Sequence, residues 1–186
     1  QLLNTVDDLL LLARERARAN AVAGTADAVS LESVISRVVE PQEARARANG
    51  VGVIADLPPG LPPIHADREA LTQVFTNLIG NGVKYTPEGG TVRVSARREG
   101  DSVTVRVSDT GIGIPAEDLP RIFEEFFRAS NARGHAVVGT GLGLAIARSA
   151  VEALGGTIEV SSQENSGTEF AVRLPIGPRP GAQIAA

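Results

Sequence analysis

Apolar and polar positions alternate or recur along this chain in a way that predicts both strands and helices. Helices are predicted over 1–19, 30–49, a segment that begins at Asp67, 116–127 and 141–154. Strands are predicted over 51–55, 92–96, 102–108, 158–160 and 170–174, where valines and other apolar residues occupy alternate positions. The turn-forming residues at 100–101 and 165–167 each lie between two predicted strands, so each indicates a hairpin.

Small residues and prolines divide these elements. The segment 20–28 is small and contains glycine, which predicts a linker, and 57–63 is proline-rich, which predicts a loop or edge. Pro41 predicts a kink or break in the second helix. The segment 129–139 has few large residues, so it is either a lid that orders over a ligand or an ordinary surface loop. The tail from Gly177 is predicted to be disordered.

Composition narrows the class of protein. A length of 186 residues with 42% hydrophobic residues predicts one globular domain. The absence of cysteine excludes disulfides and thiolate metal sites. The net charge of −4, the lack of a basic block and 3% aromatic residues argue against a nucleic-acid surface. No apolar run approaches 18 residues, so we expect a soluble piece, and the start at Gln1 without any methionine predicts a fragment of a longer or processed protein.

Three glycines occupy alternate positions, 139, 141 and 143, at the start of the helix predicted over 141–154. Glycines allow backbone N–H groups to approach an anion closely, and the first N–H groups of a helix are unpaired at its positive end. The pattern therefore predicts a phosphate-binding turn. A tight turn packed against a neighbouring helix is the alternative.

Asp109 comes at the end of the strand predicted over 102–108, followed by Thr-Gly-Ile-Gly. A carboxylate at this bend can accept a hydrogen bond from an exocyclic amine such as that of adenine. Aspartate and glycine are also favoured in ordinary turns, which is the alternative interpretation.

Asn77, Asn81 and Lys84 are spaced three and four apart, so they share a polar stripe on the helix that begins at Asp67. Asparagine competes with the helix for backbone hydrogen bonds, so two of them one turn apart need a reason. A carboxamide oxygen suits Mg²⁺, and a lysine ammonium suits phosphate. A solvated helix face is the alternative.

These three motifs, together with the segment FEEFFR at 123–128, resemble the ATP-binding catalytic domain of sensor histidine kinases over residues 28–176. The resemblance implies an α+β fold, a two-layer sandwich in which a Bergerat-type mixed sheet carries helices on one face. It also implies ATP and Mg²⁺ as cofactors. The implied division is 1–20 for the end of a dimerisation and phosphoacceptor helix, 21–28 for a linker, 29–176 for the catalytic domain and 177–186 for a disordered tail.

The resemblance carries residue roles with it. Asp109 is expected to bind adenine, Asn81 and Asn77 to hold Mg²⁺, and Lys84 to contact phosphate. The catalytic residues it implies are Asn81, Lys84 and Arg128, the last as a contact of the γ-phosphate. The nucleotide-binding residues it implies are Asn77, Asn81, Lys84, Tyr85, Asp109, Gly111, Gly113, Gly139, Gly141, Leu142, Gly143 and Thr168.

Several of these residues also have plainer interpretations. Tyr85 can be a rim aromatic that covers the core, Arg128 a solvated charge, and Thr168 a threonine that starts a strand. Gly82 departs from the alanine usual in the family at this position, and a helical glycine costs about 0.5–1 kcal/mol relative to alanine. We expect it to loosen the helix near Lys84.

The function that the resemblance implies is transfer of the γ-phosphate of Mg-ATP to a histidine in two-component signal transduction. The implied partners are the protein's own phosphoacceptor hairpin, in a homodimeric parent, and a response regulator, and the implied location is cytoplasmic, in a parent that can be membrane-anchored. Neither His65 nor His135 has the surroundings of an acceptor, so we expect both to be incidental surface residues. The chain alone should bind ATP without phosphorylating itself.

Other functions stay open at the level of sequence. A chaperone, topoisomerase or mismatch-repair ATPase domain and an anti-sigma serine kinase share the nucleotide motifs. A nucleotide-binding regulatory module would use them without transfer. A helical interaction module is supported by the leucine-rich segment 1–19 alone.

Overall fold

The computed structural model describes residues 27–133 and 139–177, with the backbone alone at Arg133. The helix predicted over 1–19, most of the predicted linker, His135 and the predicted tail beyond Gly177 lie outside the described residues. The helices are α1 (Leu31–Ala48), α2 (Arg68–Tyr85), α3 (Ser130–Arg133) and α4 (Gly143–Ala153). The strands are β1 (Asp27–Val29), β2 (Gly52–Asp56), β3 (Ile64–Ala66), β4 (Thr91–Glu99), β5 (Ser102–Asp109), β6 (Thr157–Gln163) and β7 (Gly167–Pro175).

Five strands form one mixed sheet in the order β2-β4-β5-β7-β6. β2 runs parallel to β4, and the remaining neighbours are antiparallel, so both predicted hairpins are present. Helices α1, α2 and α4 form one layer that packs against this sheet. β1 pairs with β3 in a small separate sheet. The predicted α+β sandwich with helices on one face is therefore confirmed.

The hydrophobic core lies between the sheet and the helices. The alternating valines of β4 and β5 are buried there, as is the apolar face of α2: Val92, Val94, Val103, Val105, Val107, Leu71, Val74, Phe75, Leu78 and Ile79. Burying each such side chain contributes about 1.5–3 kcal/mol. The opposite face of the sheet carries ion pairs, the exposed pair Arg93–Asp56 and the half-buried pair Arg106–Glu169, which is why apolar and polar residues alternate along the strands.

Two helix starts follow the predicted caps. Ser30 accepts a hydrogen bond from the backbone N–H of Ser33 at 3.3 Å, and Asp67 accepts one from Glu69 at 2.8 Å. α1 then runs without a break through Pro41, which is exposed, so the predicted interruption is absent. No helix in the described part of the chain has the length and apolar character needed to cross a membrane.

Two predictions about local structure were wrong. The segment 116–127 is not a helix beyond one 3-10 turn at Leu119–Arg121, because Pro115 and Pro120 supply no backbone N–H and the chain closes successive three-residue turns instead. The predicted linker 21–28 overlaps β1 at its last two residues, which pair with His65 and Ala66 of β3. That pairing is a long-range contact that composition does not reveal.

Candidate functional site

The predicted motifs meet around one cavity of about 720 Å³, within the range of small-molecule sites. α2 forms one wall, the end of β5 and the turn after it form another, and the glycine turn before α4 forms a third. The predicted residues that line the cavity are Asn77, Asn81, Lys84, Tyr85, Asp109, Gly113, Arg128, Gly139, Gly141, Gly143 and Thr168. Two further predicted residues, Gly111 and Leu142, do not line it.

Asp109 is the last residue of β5, where it faces Thr168 on β7. Its Oδ1 accepts hydrogen bonds from the backbone N–H groups of Gly111 at 2.8 Å and Thr168 at 3.2 Å. Both bonds go to Oδ1, and Oδ2 accepts no hydrogen bond from the residues that the structure describes. One oxygen of Asp109 therefore holds the turn, and the other is available for recognition.

Burial raises the pKa of the Asp109 carboxyl above its ordinary value, and the hydrogen bonds from Gly111 and Thr168 oppose that rise. A partly desolvated carboxylate gains more than a solvated one from a donor on a ligand. The turn thus presents a strong acceptor at the cavity wall.

Gly111 lies where the turn after β5 packs against the end of α2. A methyl group at Gly111 would lie 2.6 Å from the carbonyl oxygen of Tyr85 and 2.7 Å from Asp109 Oδ1. The neighbouring residue Ile112 donates its N–H to that same Tyr85 carbonyl at 3.1 Å. The end of α2 and the turn after β5 are therefore packed backbone to backbone, and Gly111 allows the approach.

Asn77 and Asn81 face the cavity from consecutive turns of α2. A methyl group at Gly143 would lie 3.3 Å from Asn77 Oδ1, so Asn77 lies against the start of α4. Its Nδ2 is buried without a hydrogen-bond partner among the residues that the structure describes. An amide donor left in this state indicates a polar ligand or water beside it.

Lys84 brings positive charge to the glycine turn. A methyl group at Gly139 would lie 2.5 Å from Lys84 Nζ, so the ammonium lies directly against that glycine. The same nitrogen lies 4.7 Å from the centre of the Tyr85 ring. Tyr85 thus orients the lysine as well as lining the cavity, and the ammonium adds positive charge beside the glycine turn.

The glycine turn is tied to the segment FEEFFR. Gly141 has φ +77°, and its carbonyl accepts the N–H of Phe126 at 3.0 Å. A methyl group at Gly141 would lie 2.7 Å from the carbonyl carbon of Phe126, which itself has φ +63°. The two strained segments hold each other in position at the N-terminus of α4, whose first N–H groups point along the positive end of the helix.

Residues 66–178 match the family described as histidine kinase-, DNA gyrase B- and HSP90-like ATPase. The chain belongs to this family. Among its relatives, the sensor-like histidine kinase SenX3 of Mycolicibacterium smegmatis is 36% identical over 83% of this chain. The sensor histidine kinase WalK of Bacillus subtilis is 41% identical over 67% of it. The chain spans 40% of SenX3 and 21% of WalK.

Solved structures agree with this family assignment. Full-length ShkA in complex with AMPPNP superposes with a TM-score of 0.81 at 32% identity, covering 98% of this chain and 37% of that one. The catalytic domain of the histidine kinase ThkA has a TM-score of 0.70 at 29% identity, covering 81% of this chain and 97% of that domain. The ATPase described here therefore corresponds to nearly the whole of a histidine kinase catalytic domain.

Three of the predicted residues make hydrogen-bond or packing contacts with other parts of this ATPase. Leu142 is buried at the N-terminal cap of α4, and its N–H lies 3.4 Å from Thr140 Oγ1. Thr168 is buried, and its Oγ1 lies 2.9 Å from Ser162 Oγ. Arg128 lines the cavity while its Nη2 donates to the Ala132 carbonyl at 3.2 Å.

Gly82 does not loosen α2, contrary to expectation. The helix continues to Tyr85, and the Thr86 hydroxyl and N–H both bond to the Gly82 carbonyl, at 2.7 and 3.1 Å. A methyl group at Gly82 would lie 3.0 Å from a methyl of Val92. The glycine therefore brings α2 close to β4.

The predicted site residues omit five polar residues of the cavity: Gln42, Arg45, Thr76, Asn131 and, within the glycine turn itself, Thr140. Gln42 and Arg45 lie on α1, which carries no nucleotide motif, so only the packing of α1 against α2 reveals them. Asn131 lies within the predicted lid 129–139, where the structure shows the short helix α3 instead of loop at 130–133.

Proposed function

We propose that this ATPase binds Mg-ATP and supplies the γ-phosphate to a histidine of a phosphoacceptor helix in two-component signal transduction. The supporting observation is the convergence of Asp109, Asn81 and Gly141 on one cavity. The relatives SenX3 and WalK are named histidine kinases, and ShkA was solved with an ATP analogue.

In this proposal each wall of the cavity binds a different part of the nucleotide. Asp109 Oδ2 accepts a hydrogen bond from the exocyclic amine of adenine, and the Thr168 N–H supports that carboxylate. Lys84 and the backbone of the glycine turn at 139, 141 and 143 take the phosphate oxygens. The α4 N-terminus adds a favourable dipole for negative charge.

The residues present fit a magnesium ion. Asn77 and Asn81 offer neutral oxygen ligands, and Mg²⁺ bound between nucleotide phosphates commonly takes one or two protein ligands and keeps several waters. When bound, the ion neutralises charge on the β- and γ-phosphates. The chain's own contribution is to hold that end of the nucleotide between α2 and the glycine turn, with Lys84 and Arg128 as further cations.

Phosphoryl transfer depends on positioning and charge neutralisation more than on covalent chemistry by the protein. The cavity supplies both, and among the described residues it offers no histidine as acceptor, because His65 is exposed on β3 and does not line it. The acceptor therefore belongs to a partner element, which we propose is the protein's own helical hairpin in a homodimer, and the phosphate then passes to a response regulator in the cytoplasm.

This function is tested by adding labelled ATP to the chain with and without the parent protein's phosphoacceptor hairpin. We expect acid-labile label on a hairpin histidine and none on His65 or His135 of the chain alone. Tight Mg-ATP binding without transfer to the hairpin would support the nucleotide-binding regulatory module instead. Failure to bind millimolar Mg-ATP would refute both.

Replacing Asn81 by alanine should weaken the magnesium dependence of ATP binding about tenfold, or ~1.4 kcal/mol, because one oxygen ligand is removed. The measurement is the ratio of ATP dissociation constants with Mg²⁺ and with EDTA. Gln73→Ala is the matched control, since Gln73 carries an amide on the same helix but does not line the cavity. An unchanged ratio in Asn81→Ala would remove this residue from the metal site.

ATP affinity should fall as the solution is acidified, because the pKa of Asp109 is raised in the free protein. An amine that donates to the ionised carboxylate lowers that pKa in the complex, so binding releases a proton. Affinity is therefore lost as the pH falls through the pKa of the free protein, by at most about tenfold per pH unit. Titrations between about pH 7 and pH 5 measure the slope.

The control ligand is purine riboside triphosphate, which has the same phosphates and no exocyclic amine. The pH dependence of its affinity reflects protonation of the phosphates but no hydrogen bond from a base amine to Asp109. Equal slopes for the two nucleotides would show that Asp109 does not accept from the base.

A further inference from the structure

Asn131 carries an oriented amide at the cavity wall. Its Nδ2 donates to the carbonyl oxygen of Gly113 at 3.0 Å and lies 3.5 Å from that of Ile112. Carbonyl oxygens only accept, so these contacts determine which end of the amide is nitrogen. The remaining atom, Oδ1, is consequently a fixed acceptor.

This acceptor is unused by the part of the chain that the structure describes. Asn131 Oδ1 is buried and has no hydrogen-bond partner among those residues, although Asn131 lines the same cavity as Asp109 and Gly113. A buried acceptor left unpaired destabilises the fold, so its presence here indicates a donor supplied from outside.

The short helix that carries Asn131 is held in place. Asp118 Oδ2 accepts from both the N–H and the hydroxyl of Ser130, at 2.7 and 2.8 Å. Arg128 donates to the Ala132 carbonyl at 3.2 Å, and Ala132 is buried. The acceptor is therefore preorganised, which reduces the entropy lost when it binds a ligand.

We propose that Asn131 Oδ1 is a second acceptor for the exocyclic amine of the purine, beside Asp109 Oδ2, and thus a base-specificity residue. This inference rests on the proposed binding of ATP. Both residues are attached to the same turn, Asp109 through Gly111 and Asn131 through Gly113. An amine has two protons to donate, whereas a purine with a carbonyl at that position presents an acceptor to both residues.

The test compares ATP with purine riboside triphosphate, in which hydrogen replaces the amine. In the unmodified chain ATP should bind more tightly. In Asn131→Ala that preference should fall about fivefold, the value of one neutral hydrogen bond of ~1 kcal/mol, while the control nucleotide keeps its affinity within about twofold. Asn131→Leu, which preserves much of the side-chain volume, should behave the same way and guards against an effect of the cavity left by alanine.

Each outcome decides one claim. An unchanged preference in both variants, or equal loss of both nucleotides, would overturn the role of Asn131 and leave the ATPase proposal standing. Equal binding of the two nucleotides by the unmodified chain would overturn base recognition by Asn131 and Asp109 together. Absence of all binding by the unmodified chain would refute the proposed function itself.

Discussion

Asp109→Asn is expected to weaken ATP binding about 100-fold, because it removes a charged acceptor and faces the base amine with a donor. The Asp109 oxygen that binds the N–H groups of Gly111 and Thr168 must remain an oxygen in the variant. The new amide nitrogen therefore occupies the Oδ2 position and points to the ligand. Asparagine thus reverses the hydrogen-bonding polarity of the site while keeping the turn intact.

The same reversal predicts a gain for another base. Inosine triphosphate has a carbonyl where ATP has its amine, so it should bind Asp109→Asn more tightly than it binds the unmodified chain. Calorimetric titration with both nucleotides measures the exchange of preference. Asp101→Asn, in the hairpin between β4 and β5 and away from the cavity, should change neither affinity. ATP affinity within threefold of the unmodified value in Asp109→Asn would contradict this assignment.

Gly113→Ala should destabilise the protein by at least ~3 kcal/mol and abolish ATP binding. Gly113 has φ +65°, and a methyl group there would lie 2.0 Å from the carbonyl oxygen of Gln163, a backbone atom that no side-chain rotation can move. The substitution forces the turn after β5 away from the β6–β7 hairpin. Because Asp109 and Asn131 are both attached to that turn, the acceptors move with it.

Gly100→Ala is the matched control for this variant. Gly100 has φ +63°, but nothing lies within 4 Å of the position its methyl group would take. It should cost only the left-handed backbone strain of about 1–2 kcal/mol and leave ATP affinity unchanged. Urea denaturation gives both free energies of unfolding. Equal losses of unfolding free energy in the two variants would show that backbone strain, and not the contact with Gln163, is the reason that residue 113 must be glycine.

Local patterns determined much of the fold. Ser30 and Asp67 start their helices because their side-chain oxygens reach N–H groups within three residues. The alternating valines of β4 and β5 place one face of the sheet in the core because successive side chains point to opposite sides. Short-range rules of this kind fail over 116–127, because proline and successive three-residue turns there take the place of the predicted helix.

The sequence also predicted the chemical character of the motifs, but it did not show which residue of each motif has which role. Gly111 and Leu142 belong to the motifs, yet the structure uses one for a close backbone approach and the other for packing. Asp109 was predicted as an adenine acceptor, and only its surroundings separate a structural oxygen from a recognising one. Such distinctions depend on which neighbour each atom meets.

The sequence by itself determined most of the elements, the three motifs and their chemical character, because spacing along a helix or strand acts over a few residues. Tertiary structure alone decided that α2, the end of β5 and the turn before α4 enclose a common cavity, since these segments are brought together by the strand order β2-β4-β5-β7-β6 and by burial of one shared core. It also decided that Gln42, Arg45 and Asn131 join them. Contacts between residues far apart in the chain arise from packing, and no local pattern encodes them.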